Sequence, residues 1–363
     1  MTQRERQILR WIEENPMISQ QELAEKGGIT RSSVAVHISN LMKKGYIAGK
    51  GYVLRSGTYA VVVGGVNMDI GGKSFSNIIA KDSNPGTVTM SVGGVGRNIA
   101  HNISLLGIDT RMLSAMGDDL YAEKIAATCT ECGLDFSRVR QVRGSATSTY
   151  VYLAGPDGDM ALAVSDMEVC REITPEYLAE NLTLLNSSQL VVVDANIPEA
   201  SIAWIAEHVT VPIFADPVSA TKSKKLQPVL GKLHTLKPNR LEAELLSGIT
   251  IRTETDLHTA AQRLLDTGLR RVFISLSTDG VFAADHNGSL KLPCFQSDVM
   301  NATGAGDAFV AGLVWAYLKG SDLKTTALAG LAASSISAEG TETINEALTE
   351  DALKARMNME VLS

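Results

Sequence analysis

The sequence has little of several things that would each mark a specialised class of protein. Its 363 residues include 4 cysteines, 10 prolines and only 5% aromatic residues. Four cysteines are too few for a disulfide scaffold of this length, and no apolar run approaches the ~20 residues that a membrane span needs. With 45% hydrophobic residues, the chain predicts a globular protein of two domains, or of one large domain with an appendage. The start of the chain has no signal-peptide pattern, so we expect a cytoplasmic protein.

Two of the cysteines, Cys129 and Cys132, form a C-x-x-C motif. No second cysteine pair or histidine pair completes a zinc set. The spacing also fits one helical turn that ends at Gly133. We therefore favour buried helix thiols over a redox or metal site.

The charge is unevenly distributed along the chain. Residues 1–58 carry nine Lys and Arg against five Glu, a formal charge of +4, whereas the rest carries 24 basic and 35 acidic residues, a charge of −11. This asymmetry predicts a small basic module followed by a large acidic one, with boundaries at 1–57 and 58–363.

The residue pattern of the basic module predicts three short helices and a hairpin. The first helix is predicted at 3–15, a capping box of Ser19 and Glu22 starts the second, and Thr30 can cap the third. Two short β-prone pieces about a Gly-Lys-Gly turn follow at 46–54.

Residues 19–54 resemble bacterial winged helix-turn-helix regulators, which implies DNA as a partner. The resemblance places Arg31, Ser32 and Ser33 at the start of the recognition helix. It places Lys43, Lys44 and Lys50 against DNA phosphates. The alternative is a module that dimerises or binds protein, with its charges on a solvated face.

Strands and helices alternate in the acidic body, which predicts an α/β fold with a mostly parallel sheet covered by helices. A buried strand begins at Tyr59. Further strands are predicted at 111–115, 190–194, 212–215, 234–236 and 271–276, and helices at 118–132, 199–208, 239–246 and 257–266. Two segments, at about 70–92 and 145–166, depart from this alternation of strands and helices. Their alternating pattern predicts extended pieces that stand off the sheet as a small β lid.

A glycine-rich turn at 301–309 is the strongest chemical signal. Gly304, Ala305 and Gly306 carry almost no side chain, so their N–H groups can converge at the start of the helix that follows. Asp307 lies one residue further on, where a carboxylate can take a proton from a hydroxyl that attacks a phosphate. The alternative is an aspartate that merely caps the helix.

Two other motifs accompany this turn. Gly93, Gly94 and Gly96 open a helix that contains Asn98, without the pattern of a dinucleotide fingerprint or a Walker motif. Asn239 and Glu242 stand three apart at a helix start, where they can hold Mg²⁺ waters and a phosphate oxygen. The alternative for this pair is a helix cap.

Residues 59–350 resemble the ribokinase-like (PfkB) carbohydrate and nucleoside kinases, on the motifs at 93–98, 239–242 and 302–307. The resemblance implies ATP and Mg²⁺ as cofactors, Asp307 as catalytic base and the amides of 304–306 as anion hole. It implies that Asn239 and Glu242 organise Mg²⁺ and the phosphates. The implied substrate residues are Asn67, Asp69, Gly94 and Asn98, and the implied nucleotide residues in the strand near 275–280 are Ser275, Ser277 and Gly280.

The sequence departs from that family at two positions. Ser277 stands where many members have glycine, and Asn301 stands where many have an aspartate that is often a potassium ligand. An amide oxygen can coordinate a cation without supplying charge, so K⁺ is retained as an additional cofactor to be tested.

Within the family, four segments resemble the bacterial pseudouridine kinases: 82–86, 93–102, 216–219 and 234–244. Our hypothesis is phosphorylation of the 5′-hydroxyl of pseudouridine by a homodimeric enzyme. The alternatives are a kinase of a free sugar such as ribose or fructose, a kinase of another nucleoside, and a DNA-binding regulator that uses the kinase fold as a ligand sensor. Further candidate substrate contacts, which also read as ordinary turn or strand residues, are Asp82, Ser83, Thr149 and Asp166.

Overall fold

The computed structural model describes residues 1–47 and 59–359. By the density of contacts, the chain divides into a small unit that contains the first helices and a large unit that begins at Tyr59.

The small unit contains helices α1 (Gln3–Glu14), α2 (Gln20–Gly27) and α3 (Arg31–Lys43). Capping boxes start the first two, from Thr2 with Glu5 and from Ser19 with Glu22. Thr30 caps α3 by accepting from the Ser33 N–H. Their apolar faces meet in one core, formed by Ile8, Leu9, Ile12, Ile18, Leu23, Ala24, Val34, Ile38, Leu41 and Ile47. Lys50 and most of the predicted hairpin at 46–54 lie outside the described residues, as does the predicted boundary at 57–58.

The large unit alternates strands and helices, in agreement with the prediction. The helices described in it are α4 (Val95–Leu105), α5 (Leu120–Glu131), α6 (Pro175–Glu180), α7 (Leu182–Asn186), α8 (Glu199–His208), α9 (Ala220–Ser223), α10 (Arg240–Ser247), α11 (Glu254–Leu265), α12 (Ala305–Leu318), α13 (Leu323–Ala338) and α14 (Glu350–Met357).

The described strands build one large sheet and two smaller ones. They are β1 (Tyr59–Val63), β2 (Asn67–Ser74), β3 (Gly86–Gly93), β4 (Asp109–Leu113), β5 (Ala115–Met116), β6 (Arg140–Gln141), β7 (Thr149–Ala154), β8 (Met160–Asp166), β9 (Leu190–Asp194), β10 (Ile213–Asp216), β11 (Thr235–Leu236), β12 (Arg271–Ser275), β13 (Val281–Asp285) and β14 (Gly288–Leu292).

The main sheet has the order β14-β13-β12-β11-β10-β9-β1-β4. Its pairs from β4 to β12 are parallel, whereas β13 and β14 add an antiparallel edge that the sequence did not predict. Val61 packs into the core on one face and Val62 into the core on the other, so helices cover both faces. The expected α/β class with a mostly parallel sheet is confirmed.

The smaller four-stranded sheet has the order β3-β2-β7-β8. We call it the lid sheet, after the predicted role of the segments at 70–92 and 145–166. Its register places Ile70 beside Met90 and Val151, and Leu153 beside Leu162. Because paired residues share a face, these aliphatic side chains lie together on one side. Asp69, paired with Ser91 and Tyr150, points to the other side.

Within residues 1–47 and 59–359, no helix combines the length and apolar character that crossing a membrane requires.

Candidate active site

The site begins at the carboxyl edge of the parallel strands. β9 ends at Asp194 and β10 at Asp216, and Lys237 follows β11 directly. Parallel strands bring these positions to one edge of the sheet, the usual place for ligands in such folds. Lys237 Nζ lies 3.3 Å from Asp216 Oδ2, with both side chains largely buried. A buried ion pair therefore stands at the floor of the site.

The helix α12 starts directly beside this pair. Gly304 has φ of +84°, and a side chain there would collide with the Thr343 carbonyl, so the turn requires glycine. A Cβ placed on Gly306 would stand 3.0 Å from Lys237 Nζ. The ammonium thus adds a full positive charge next to the N–H groups of the helix start, where an anion is stabilised. One of these, the Ala305 N–H, also donates to the Ala302 carbonyl at 3.3 Å. Sequence reasoning gave Lys237 no role, although it adjoins the motif at Asn239.

Asp307 is 9% exposed and accepts a hydrogen bond of 2.9 Å from Asn98 Nδ2 at its Oδ2. Burial raises the pKa of Asp307 to about 8, and repulsion from Asp216 acts in the same direction. The Asn98 hydrogen bond and the charge of Lys237 oppose this rise. A carboxyl group with such a pKa can exchange a proton near neutral pH.

Burial alone would lower the pKa of Lys237, but the nearby carboxylates of Asp216, Asp307 and Glu242 raise it. The ammonium of Lys237 therefore stays charged at neutral pH. It can hold the transferring phosphoryl group against the helix start.

The motif at 93–98 also reaches Asp307, through the hydrogen bond of Asn98. Gly94 has φ of +101°, and a Cβ there would come within 2.6 Å of the Gly65 carbonyl oxygen. A side chain on Gly93 would collide with the Asp69 carboxylate. These glycines therefore let the start of α4 lie against both the sheet edge and Asp69.

Asp69 is held by its own neighbour. Asn67 Nδ2 donates to Asp69 Oδ1 at 2.5 Å, so Asn67 orients this carboxylate. Burial raises the pKa of Asp69, while the Asn67 hydrogen bond and the charge of Arg97 oppose the rise. An oriented carboxylate of this kind can accept hydrogen bonds from substrate hydroxyls.

A cavity of about 960 Å³ opens beside the start of α12. The predicted nucleotide residues Asn239, Ser275, Ser277 and Gly280 line it, together with Ala305 and Gly306 of the glycine turn. Ser277 has φ of +55°, a left-handed conformation that favours glycine. The departure seen in the sequence is thus a serine held in a glycine-like conformation.

Asn239 and Glu242 form a capping box at the start of α10. The Asn239 N–H donates to Glu242 Oε2 at 2.8 Å, and Asn239 Oδ1 accepts from the Glu242 N–H at 2.9 Å. The structure therefore shows the helix cap that was the alternative for this pair. A role in holding a metal would be additional to this cap. Burial raises the pKa of Glu242, and repulsion from Asp216 adds to this. A cation bound near the oxygens of Asn239 and Glu242 would relieve the repulsion between Glu242 and Asp216, so these donors fit Mg²⁺.

No described interaction connects Asp69 with the other candidate substrate residues, which are Asp82, Ser83, Thr149 and Asp166. Asp82 and Ser83 lie in the exposed loop between β2 and β3, where Ser83 N–H donates to Asp82 Oδ1. Thr149 pairs with Asp166 and Met68, on the side of the lid sheet opposite Asp69. Their contact with substrate stays a prediction.

Cys129 is fully buried in the core of the large unit, and Cys132 is partly buried beside it. Both are free thiols. Within the described residues, no group of three or more His, Cys, Asp or Glu side chains is arranged to hold a metal.

The candidate DNA contacts occupy both ends of α3. Arg31 is exposed at its first position, while the Ser32 and Ser33 hydroxyls each lie 2.9 Å from Thr30 Oγ1. At the other end Lys43 is exposed, whereas Lys44 forms an ion pair of 2.6 Å with the buried Glu5. Arg31 and Lys43 are thus the more available of these cations.

Comparison with known proteins agrees with this architecture. Residues 58–350 match the family described as pfkB family carbohydrate kinase, and residues 1–48 match winged helix-turn-helix DNA-binding. The chain belongs to the pfkB family and carries an N-terminal winged helix-turn-helix domain. It is a sugar or nucleoside kinase, a phosphotransferase that acts on a hydroxyl group.

Two relatives are similar over most of the chain. The uncharacterized sugar kinase YeiI of Escherichia coli is 37% identical over 353 residues, 97% of this chain and 98% of that protein. The pseudouridine kinase of Escherichia coli is 39% identical over 269 residues, 74% of this chain and 86% of that protein.

Solved structures show the same fold. Arabidopsis thaliana ribokinase, complexed with ribose and ATP, has a TM-score of 0.75 at 20% identity, over 84% of this chain and 100% of that one. A carbohydrate kinase from Agrobacterium tumefaciens has a TM-score of 0.72 at 25% identity, over 83% and 97% of the two chains.

Proposed function

We propose that this protein is an ATP-dependent kinase that phosphorylates the 5′-hydroxyl of pseudouridine. The identity of 39% over 269 residues to a pseudouridine kinase supports this substrate. The position of Asp307 carries the proposed reaction. Its carboxylate stands at the start of α12, hydrogen-bonded to Asn98 and close to the ammonium of Lys237.

In the proposed reaction Asp307 accepts the proton of the 5′-hydroxyl as its oxygen attacks the γ-phosphorus of ATP. The bond between that phosphorus and the bridging oxygen breaks, and ADP leaves. The amides of Gly304, Ala305 and Gly306 bind the developing anion, and Lys237 adds positive charge beside them. Asp69, oriented by Asn67, accepts from the substrate hydroxyls. Gly94 and Asn98 complete the substrate side.

The adjoining cavity is the proposed ATP site. Ser275, Ser277 and Gly280 line the part near the end of β12. Asn239 and Glu242 would hold Mg²⁺ through water, and the bound charge would stabilise the phosphates of ATP. Asn301 donates from Nδ2 to the Thr341 carbonyl and accepts from the Thr303 N–H. One lone pair of the amide oxygen remains for a cation, so K⁺ stays a prediction, which the dependence of kcat on added K⁺ tests.

We also propose that the enzyme is a homodimer joined through the lid sheet. A row of large aliphatic side chains on one side of this sheet is exposed: Val88 at 73%, Met90 at 44%, Val151 at 39%, Leu153 at 46%, Leu162 at 62% and Val164 at 63%. Exposed apolar patches of this kind mark interaction surfaces. A second copy of the same sheet offers a matching apolar surface.

The N-terminal domain suggests a second activity, DNA binding. The family match over residues 1–48 and the exposed Arg31 and Lys43 support it. A kinase that also binds DNA can couple substrate level to transcription. The sensor alternative, in which catalysis is lost, fits less well because the proposed base and anion hole are both intact.

An assay of ADP release over a substrate panel tests the kinase proposal. Pseudouridine, uridine, ribose and fructose would each be supplied with ATP and Mg²⁺ to the full-length protein. We expect the highest kcat/KM with pseudouridine. Phosphorylation of a free sugar alone would favour the sugar-kinase alternative.

A further inference from the structure

Arg97 lies in the first turn of α4, directly before Asn98. Its side chain is buried, with 4% exposed. Nη1 donates to the Val92 carbonyl at 3.1 Å and to Asn98 Oδ1 at 3.0 Å. Within the part of the chain that the structure describes, Arg97 forms no ion pair with a carboxylate, and its Nε has no hydrogen-bond partner. A buried cation without a paired acid is costly, so its retention needs a reason.

The contact with Asn98 offers that reason. An asparagine amide can be placed in two orientations, and only one of them directs Nδ2 to a given neighbour. With Nη1 of Arg97 donating to Oδ1, the amide of Asn98 presents Nδ2 to Asp307 Oδ2, at 2.9 Å. The opposite orientation would set the amide donors against the guanidinium and the amide oxygen against the carboxylate.

We propose that Arg97 is a positioning residue, which fixes the amide of Asn98 so that it donates to Asp307. This inference rests on the proposed role of Asp307 as base. Charge-assisted hydrogen bonds are stronger than neutral ones, and a chain of them polarises each member. The cation therefore strengthens Asn98 as a donor, which favours the ionised form of Asp307. Arg97 also opposes the rise in the pKa of Asp69.

A purely structural role is the rival explanation. The hydrogen bond to Val92 ties the end of β3 to the start of α4, and its loss could loosen this junction. Loosening would lower activity at every pH, whereas loss of positioning acts through the protonation of Asp307. The charged groups that act on the pKa of Asp307 stay unchanged in the test: Asp216, Lys237 and Asp194.

The test measures kcat and KM against pH for full-length variants, with the substrate that gives the highest rate in the panel. In Arg97→Met we expect the acid limb of kcat/KM to move up by about one pH unit, which is about a tenfold loss at pH 7. The loss should vanish at high pH, and KM for ATP should stay within about twofold. Arg97→Lys keeps a charged donor, so its acid limb should lie within about half a unit of the wild type.

Two further variants separate positioning from damage. Asn98→Ala removes the intermediary, so Arg97→Met in that background should add no further shift, a non-additivity typical of residues that act as a unit. Arg111→Met is the matched control, because Arg111 is also buried, at 8% exposed, and stacks over the Tyr59 ring away from the site. It should leave the pH profile unchanged.

An equal loss at all pH values, or additive effects of Arg97→Met and Asn98→Ala, would overturn the proposal. If Arg97→Met does not fold, the Lys variant decides, since a pH-independent loss there contradicts positioning as well. Retained turnover in Asp307→Asn would instead refute the base, whatever Arg97 does. The two failures are therefore distinguishable.

Discussion

Asn98 donates a hydrogen bond of 2.9 Å to Asp307 across 209 residues of sequence. It joins the glycine motif at the start of α4 to the glycine turn at the start of α12. The proposed substrate side and the proposed phosphoryl side of the site therefore meet at one carboxylate. The hydrogen bond engages Oδ2, so we propose Oδ1 of Asp307 as the atom that accepts the proton.

The first prediction concerns the ionisation of Asp307. Only its ionised form can accept a proton, and its pKa is raised to about 8. The kcat/KM of the wild type should therefore rise as the pH increases through about 8 and level off above it. Asp307→Asn should lower kcat by about 10²–10⁴-fold while ATP affinity, measured by calorimetry, stays near that of the wild type. Near-normal turnover would remove Asp307 from the mechanism.

The second prediction concerns the backbone at Ser277. Its φ of +55° is strained for a serine and unstrained for glycine. Ser277→Gly should raise the free energy of unfolding by about 0.5–1 kcal/mol, the strain relief less the added chain entropy. Thr278→Gly is the matched control, because its φ is not positive, and it should lower stability. Denaturant unfolding of both variants decides, and destabilisation by Ser277→Gly would contradict the strain.

Much of the fold could be predicted from the sequence, because local patterns encode it. The strand at 190–194 and the helix at 199–208 coincide with β9 and α8. The capping box at Ser19 and the glycine turn before α12 also appear where the residues indicate. The antiparallel edge of β13 and β14 was missed, since pairing across a sheet is not a local property.

The third prediction tests the proposed dimer. Leu162→Lys places a charge in the exposed aliphatic row of the lid sheet, so the mass measured by light scattering should fall to that of a monomer. Ser165→Lys is the control, because Ser165 is exposed and pairs with Tyr150 on the opposite side. A monomeric wild type, or a Leu162→Lys variant that remains dimeric, would refute the lid interface.

The fourth prediction concerns the N-terminal domain. In gel-shift titrations with the DNA upstream of its own gene, Lys43→Ala should weaken binding and reduce the salt slope by about 1, as for loss of one phosphate contact. Arg31→Ala should weaken binding to the specific site by about 1–3 kcal/mol. Lys44→Ala is less diagnostic, since Lys44 pairs with Glu5. No binding by the wild type at low salt would rule out the DNA proposal.

The site itself could be predicted only in part. The family motifs pointed to Asp307, Asn98 and Asn239, but the roles of Lys237 and Arg97 depend on contacts that no spacing encodes. Lys237 gains its place because β11 ends beside the start of α12. Arg97 lies inside the motif at 93–98, and its hydrogen bond to Asn98 is seen only in the structure.

The most direct test of the central claim is the product formed from pseudouridine and ATP. The full-length enzyme, with Mg²⁺, should give pseudouridine phosphorylated on the 5′-oxygen, as shown by phosphorus–proton coupling in NMR, with one ADP released for each product. Asp307→Asn should form this product about 10²–10⁴-fold more slowly. A wild-type enzyme that leaves pseudouridine unchanged while phosphorylating ribose or fructose would contradict the proposed substrate.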